Sequence, residues 1–307
     1  MDTEAQINKL QMELATRIQK HAAQDGSFAT AIPLLHFIRQ SDPSELVHVI
    51  HEPALCFIAQ GTKLIMLGEE SYLYDPNSYL VVSMQLPISG QVLQASADCP
   101  YLCLRLELDR KQIFDLLKPA VQEPSELAKS HQALFVSNMN ELLLDALVRM
   151  VRLLDTPEHI SALAPLITKE IFYRMLQDEH GQSIKQFVVS GSHAERIAKA
   201  VQLIEQDYNK QLRIEELAEA VNMSSSLFHH HFKEITAMSP LQFQKQIRLQ
   251  KARTLLLSGT AAAADAGFQV GYESPNQFNR EYTRMFGMPP IRDMKRLRGA
   301  LIDSEKW

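Results

Sequence analysis

The pattern of hydrophobic and polar positions changes texture several times along the 307 residues. Between residues 4 and 23, Ile7, Leu10, Leu14, Ile18 and His21 recur at spacings of three or four, which predicts an amphipathic helix ending at "QDGS". From about Ala31 to Asp109 the apolar runs shorten to "ALCFIAQG", "TKLIMLG", "SYLVVSMQ" and "YLCLRLEL", divided by Gly, Pro, Asn and Asp. These are the marks of strands and turns. About eight strands at this spacing predict an antiparallel barrel or sandwich, closed or stacked to hide its edges. Helical texture returns in "RKQIFDLLK", "NELLLDALVRMVRLLD" and "LAPLITKEIFYRMLQD". The second of these carries a stripe of Leu142, Leu143, Leu144, Leu147, Val148, Val151 and Leu154, wide enough to require a helical partner in the same chain or in a second copy. Glycines and serines then cluster over residues 181–192, where a linker is expected.

The back third repeats itself. Moving residues 224–240 forward by about 50 positions sets Ser224 on Ser274, Phe228 on Phe278, Phe232 on Tyr282, Met238 on Met288 and Pro240 on Pro290. Each copy reads as a short helix, a turn, Ser at an N-cap and a longer helix, the grammar of a helix-turn-helix unit. "IEELAEAVNM" precedes the first copy and "AAAADAGFQVGY" the second, with Gly271 suited to the tight turn. "PLQFQKQIRLQKARTLLLS" lies between them and predicts a helix of about 18 residues, roughly 27 Å long. Such a strut is of the right order to hold two recognition helices about one DNA turn apart.

Angles decide which residues face outward. Advancing about 100° per residue from Phe228, Phe232 and Ile235 stay on one side, whereas Ser226 and His230 fall opposite and His229 and His231 flank. From Phe278, Tyr282 falls inside, Asn276 and Arg280 outside and Asn279 to one flank. Asn and Arg pair with adenine and guanine edges, and His and Ser donate or accept. Because adjacent helical residues diverge by about 100°, the trio His229, His230 and His231 is not expected to share a metal.

Charge and cysteine content narrow the class. The net charge is −5, but residues 1–192 carry 15 Lys+Arg against 23 Asp+Glu while residues 193–298 carry 15 against 11. The basic excess sits with the repeat, which fits a nucleic-acid partner but also the solvated surface of an ordinary helical domain. No apolar run reaches the roughly 20 residues of a membrane span, and the N-terminus is too polar for a secretory signal, so a soluble cytoplasmic protein with no membrane partner is expected. Cys56, Cys99 and Cys103 are too few and too irregular for a disulfide framework or a zinc site. They are small buried hydrophobes or, alternatively, effector- or redox-sensing thiols. His48 and His51 lie on opposite faces of a strand and no HxH pair with a following Glu occurs, so neither catalytic residues nor a cofactor are expected, and a metal-dependent enzyme built on the β-domain is the alternative.

"MSSSLFHHHFKEITAMSPLQFQKQIRLQKARTLL" and "VGYESPNQFNREYTRMFGMPP" resemble the two-repeat DNA-binding domain of AraC/XylS-type transcriptional regulators, over about residues 193–298. "HEPALCFIAQGTKLIMLGEESYLYDPNSYLVVSMQLPISGQVLQAS" is similar to the cupin-like N-terminal domain of one branch of that family. The resemblance implies an α+β chain: an antiparallel cupin-like β-barrel with flanking helices, then an all-α domain of two helix-turn-helix units joined by a long helix. Residues 1–180 would form the effector and dimerisation domain (helical to 25, barrel about 31–109, helices about 110–180), 181–192 the linker and 193–299 the DNA-binding domain. It also implies base contacts at Ser226, His229, His230, Asn276, Asn279 and Arg280; Lys233, Arg248, Lys251, Arg253 and Arg284 are the candidate phosphate contacts. The implied partners are double-stranded DNA, a small-molecule effector in the barrel, with an aldehyde or other electrophile as one option, a second copy of the chain, and RNA polymerase. A constitutive DNA-binding regulator whose barrel only dimerises is the alternative. Two departures from the family pattern stand out: His230 occupies a place where Arg is common, and Gly267 one where Ala is usual.

Overall fold

The computed structural model describes residues 3–117, 132–189, 191–259 and 262–304. The chain forms two compact units, one over 1–198 together with 234–237, the other over 199–233 and 238–307.

In the N-terminal unit, α1 (Thr3–His21) buries Leu10, Leu14 and Ile18 of the predicted stripe, while Ile7 is half-buried and His21 is exposed. Among the described residues ten strands follow, in two antiparallel sheets. The larger has the order β1 (Gly26–Ala29), β2 (Leu35–Gln40), β9 (Tyr101–Glu107), β4 (Ala54–Gln60), β7 (Ser78–Val82) and β10 (Leu134–Asn138). The smaller is β3 (Val47–His51), β8 (Leu86–Gln94), β5 (Thr62–Leu67) and β6 (Glu70–Tyr74). The antiparallel β-domain is therefore present, and eight strands, β2–β9, lie between Ala31 and Asp109 as expected; of the two arrangements the spacing allows, the stacked one is found, and the closed barrel is corrected to two separate sheets.

The reason lies in β4 and β9, which are buried on both faces over most of their length, Arg105 and Glu107 of β9 being only half-buried. Leu55 and Phe57 of β4 and Leu102, Leu104 and Leu106 of β9 join the core that also holds α1 residues. The alternate positions, Cys56 and Cys103 among them, turn the other way. Strands covered on both faces favour stacked layers, with helices on one side and the second sheet on the other. The chain passes from β4 to β5 at Gly61, whose φ is +90° and where a Cβ would stand 2.6 Å from the Gln94 carbonyl oxygen. Only glycine makes that corner cheaply.

Further helices of the unit are α2 (Arg110–Leu117), α3 (Glu141–Arg152) and α4 (Ile160–Leu176). The Asn140 side chain caps α3 by accepting from the Leu143 N–H at 2.9 Å. Leu143, Leu144, Leu147, Val148 and Val151 are buried in the core that α1 and α4 share, so the broad stripe finds its helical partners within the chain. Leu142 alone of that stripe is exposed, at 59%. In the stretch 181–192, expected to be a linker, residues Gly181–Gln186 form a short helix, α5; residue 190 lies outside the described residues.

The second unit is all helical: α6 (His193–Gln206) leads into it, followed by α7 (Ile214–Ala220), α8 (Ser225–Thr236), α9 (Pro240–Leu257), α10 (Ala263–Gln269), α11 (Pro275–Phe286) and α12 (Pro290–Ser304). α7–α8 and α10–α11 are the two helix-turn-helix units, and α9 is the predicted 18-residue connector. It starts with a capping box in which Ser239 and Gln242 satisfy each other's backbone N–H. No described helix is long and apolar enough to cross a membrane.

Candidate nucleic-acid interface

The two units close their turns in the same way. After α7, Asn222 takes a left-handed φ of 54° and the Met223 N–H reaches back to the Ala218 carbonyl; after α10, Gly271 has φ 91° and the Tyr272 N–H reaches Gly267. This is the six-to-one closure of a Schellman motif, for which Gly and Asn are the residues of choice. The next helices start on Ser224 and Ser274. Ser224 Oγ accepts from the Leu227 N–H at 3.3 Å, whereas Ser274 makes no side-chain cap and α11 relies on Pro275 in its first turn.

Aromatic residues fasten each second helix. Phe228 and Phe232 are fully buried, with ring centroids 5.4 Å apart, and Phe232 meets Phe243 of α9 edge-on at 5.5 Å. In the second unit Phe278 and Tyr282 are fully buried in a cluster with Tyr272 and Phe286. With those sides fixed inward, the opposite sides must face out. Ser226, His229 and His230 on α8, and Asn276, Asn279 and Arg280 on α11, are all exposed.

The five basic residues expected at phosphates divide. Lys233 and Arg284 are exposed at the ends of α8 and α11. Lys251 is half-buried with Glu205 at 3.9 Å. Arg248 is committed elsewhere, donating to the carbonyls of Tyr208 at 2.6 Å, Lys210 at 2.7 Å and Gly271 at 3.0 Å, and so tying the second turn to the loop after α6. Arg253 pairs with the fully buried Asp293. Both arginines are part of the internal framework, a role that their helical positions alone do not reveal. Beneath α11, Glu281 accepts from Tyr272 Oη at 2.9 Å and faces Lys245 at 3.2 Å. Burial would raise its carboxyl, yet those two partners outweigh it and hold Glu281 below the usual carboxylate range.

The three histidines fan out as helix geometry requires, but they are not equally placed. His231 is half-buried, and the His230 and His231 rings meet edge-on with centroids 5.1 Å apart. One residue the sequence reading passed over, Glu234, lies four positions after His230 and three after His231; ligand atoms of all three lie within 4.8 Å of one another.

In the N-terminal unit, Cys56 and Cys103 are buried and Cys99 is exposed. Cys56 pairs in register with Arg105 and Cys103 with Ile58, so the two thiols are diagonal neighbours on one sheet face. Hydrogen bonding with Cys103, and burial after it, push the Cys56 thiol well up. His51 Nε2 stands 3.8 Å from Cys56 Sγ; desolvation, with Arg105 nearby, lowers that imidazole to about 4. His48 lies on the opposite face of β3 and meets Ser89 at 2.7 Å, so the two histidines do not converge. A cavity of about 500 Å³ opens between residues 31–34 and α4, lined by Ile32, Leu34, Ile160, Ala164 and Thr168.

Comparison with known proteins agrees with this anatomy. Residues 31–183 match the family described as AraC-type transcriptional regulator N-terminus, and residues 217–296 match a helix-turn-helix domain family. The transcriptional regulator ArgR of Pseudomonas aeruginosa is 26% identical over 156 residues, covering 50% of this chain and 47% of the relative. The regulator YdeC of Bacillus subtilis is 22% identical over 254 residues, covering 80% and 84%. The lactose operon transcription activator of Staphylococcus xylosus is 33% identical over 92 residues, covering 30% of this chain and 33% of the relative. This chain thus spans about half or less of the ArgR and lactose-activator sequences. Among solved structures, ToxT of Vibrio cholerae superposes with a TM-score of 0.55 at 12% identity, covering 85% of this chain and 97% of ToxT, a likeness of fold. With both halves matched and the double helix-turn-helix in place, the chain belongs to the AraC/XylS-type family of transcriptional regulators.

Proposed function

We propose that this chain is a sequence-specific DNA-binding transcriptional regulator of the bacterial cytoplasm. α8 and α11 read base edges through Ser226, His229, His230, Asn276, Asn279 and Arg280, and Lys233 and Arg284 set the helices against phosphates. The observation that carries this reading is the shared division of the two helices: aromatic residues one helical turn apart are buried on each, and every one of the six polar candidates is exposed. Footprinting on the promoter upstream of its own gene tests it. Two protected major-groove segments about one turn apart are expected; protection that does not depend on sequence would refute it.

Control by a small molecule held in the N-terminal unit is the second part of the proposal. ToxT has been solved with an unsaturated fatty acid and with (E)-4-(8-methylnaphthalen-1-yl)but-3-enoic acid. In this chain the apolar cavity beside α4 is of ligand size. A thermal-shift screen should find stabilising compounds, and Ala164→Trp, which fills the cavity, should abolish their effect. Sensing of an electrophile has narrower support, because the Cys56 thiol is buried and held protonated. Cys99, beside Thr62, Asp75 and Gln94 in an open groove, is the thiol such a molecule would meet. Unchanged reporter induction in Cys99→Ser would remove that option.

A further inference from the structure

We infer that the first recognition helix carries a site for a borderline divalent transition-metal ion such as Zn²⁺, formed by His230, His231 and Glu234. The inference starts from helical spacing. Ligands four and three residues apart lie over one another on a helix surface, so Glu234 is brought to both His230 and His231 by the backbone itself. Neighbouring histidines ordinarily point about 100° apart. Here they lean together, with ring centroids 5.1 Å apart, and one ligand atom from each of the three residues falls within 4.8 Å of the others. All three belong to one uninterrupted helix, so the backbone of α8 sets their spacing.

The donor set selects the ion. Two imidazoles and a carboxylate suit zinc and its neighbours, whereas magnesium and calcium demand oxygen ligands. Tetrahedral coordination at about 2.0–2.1 Å places ligand atoms about 3.3 Å apart, a contraction that side-chain rotation supplies at an exposed surface. Two of the three ligands, His230 and Glu234, are exposed, and His231 is half-buried, which anchors one corner of the site. Three protein ligands leave a fourth position open to water.

The site deepens the proposed function, and its regulatory half rests on the reading of His230 as a base contact. A ring nitrogen bound to metal no longer serves a base edge. Zinc therefore withdraws His230 from the DNA-reading face while adding positive charge beside the phosphates. Sequence discrimination falls, and non-specific attraction does not.

Calorimetric titration of the untagged full-length protein with zinc chloride tests the site. Wild type is expected to bind one zinc ion that Glu234→Gln and His231→Gln each weaken about tenfold or more, with unchanged melting temperatures showing that both variants fold. Equal zinc binding by wild type and Glu234→Gln overturns the site. Operator and scrambled DNA are then titrated with and without zinc, each variant serving as its own reference. Zinc should lower the operator-to-scrambled affinity ratio of wild type about fivefold and leave that of Glu234→Gln unmoved. A wild-type ratio that zinc does not change overturns the regulatory half. His230→Ala without zinc separates the causes: if that substitution also leaves the ratio unchanged, the base reading of His230 has failed, and the calorimetric result for the metal site stands on its own.

Discussion

Arg253 donates from Nε and Nη2 to the two carboxylate oxygens of Asp293, at 2.8 and 3.1 Å, and Asp293 has no exposed surface. Tyr282 Oη donates to the same carboxylate at 2.8 Å, and Arg296 approaches at 3.3 Å. The guanidinium of Arg253 also lies 4.5 Å over the Phe286 ring. This network joins α9, α11 and α12, so the second recognition helix is held by charge as well as by aromatic packing. Arg253→Ala leaves a buried carboxylate short of its main counter-ion and should lower stability by roughly 3 kcal/mol in urea unfolding. Arg284→Ala, at an exposed position, should stay within about 0.5 kcal/mol. Equal stability of the two variants would contradict the framework role.

Gly271 and Gly267 are required for different reasons. A Cβ at Gly271 would stand 2.1 Å from the Asn209 carbonyl oxygen, and the residue has φ +91°. Gly271→Ala should therefore cost more than about 2 kcal/mol and release the Arg248 anchor. At Gly267 the new methyl would meet the buried Phe278 ring at 3.0 and 3.1 Å and its Cβ at 3.3 Å. Better helix propensity offers up to about 1 kcal/mol, overpacking costs about 1–3 kcal/mol, and Phe278 is hemmed in by Tyr272 and Tyr282, so a net loss is expected. A Gly267→Ala variant that melts higher than wild type would show that Phe278 can move.

The N-terminal unit should weaken in acid through Glu13. Hydrogen bonding from Arg152 of α3, with that from Arg17 after the opposing effect of burial, lowers this carboxyl from 4.5 to about 2. A depressed carboxylate stabilises the fold above its unfolded value and loses that contribution as pH falls through the folded one, here between about 4.5 and 2. Partial exposure of the group cuts the contribution to about 1 kcal/mol. Glu13→Gln should flatten the pH dependence of unfolding in that window; an unchanged profile would contradict the assignment.

The tandem helix-turn-helix was legible because its signals are local. Phe228, Phe232, Phe278 and Tyr282 recur at one helical turn, and Gly271 marks a turn that needs a left-handed residue. The fates of Arg248 and Arg253 were not legible. On a helix their spacing is that of solvated or phosphate-binding charges, and only the fold brings the Gly271 carbonyl and Asp293 to them. The layering of the β-domain was open for the same reason: alternation along β4 and β9 tells which residues share a face, but not that helices cover one of those faces and the second sheet the other. β10 was missed because "LFVSN" is five residues long and stands after α2, apart from the other strand runs. Glu234 obeys the same spacing rule that separates the three histidines: it lies four residues after His230 and three after His231, so its place beside them is legible in the sequence.

The most direct test of the account compares Arg280→Ala with Lys233→Ala on operator and scrambled DNA across a salt series. Arg280→Ala should cost about 1–3 kcal/mol on the operator and little on scrambled DNA, relaxing discrimination at one base pair. Lys233→Ala should weaken both DNAs alike and reduce the salt slope by about one ion. If Arg280→Ala instead weakens the two DNAs equally, α11 does not read bases and the central claim is wrong.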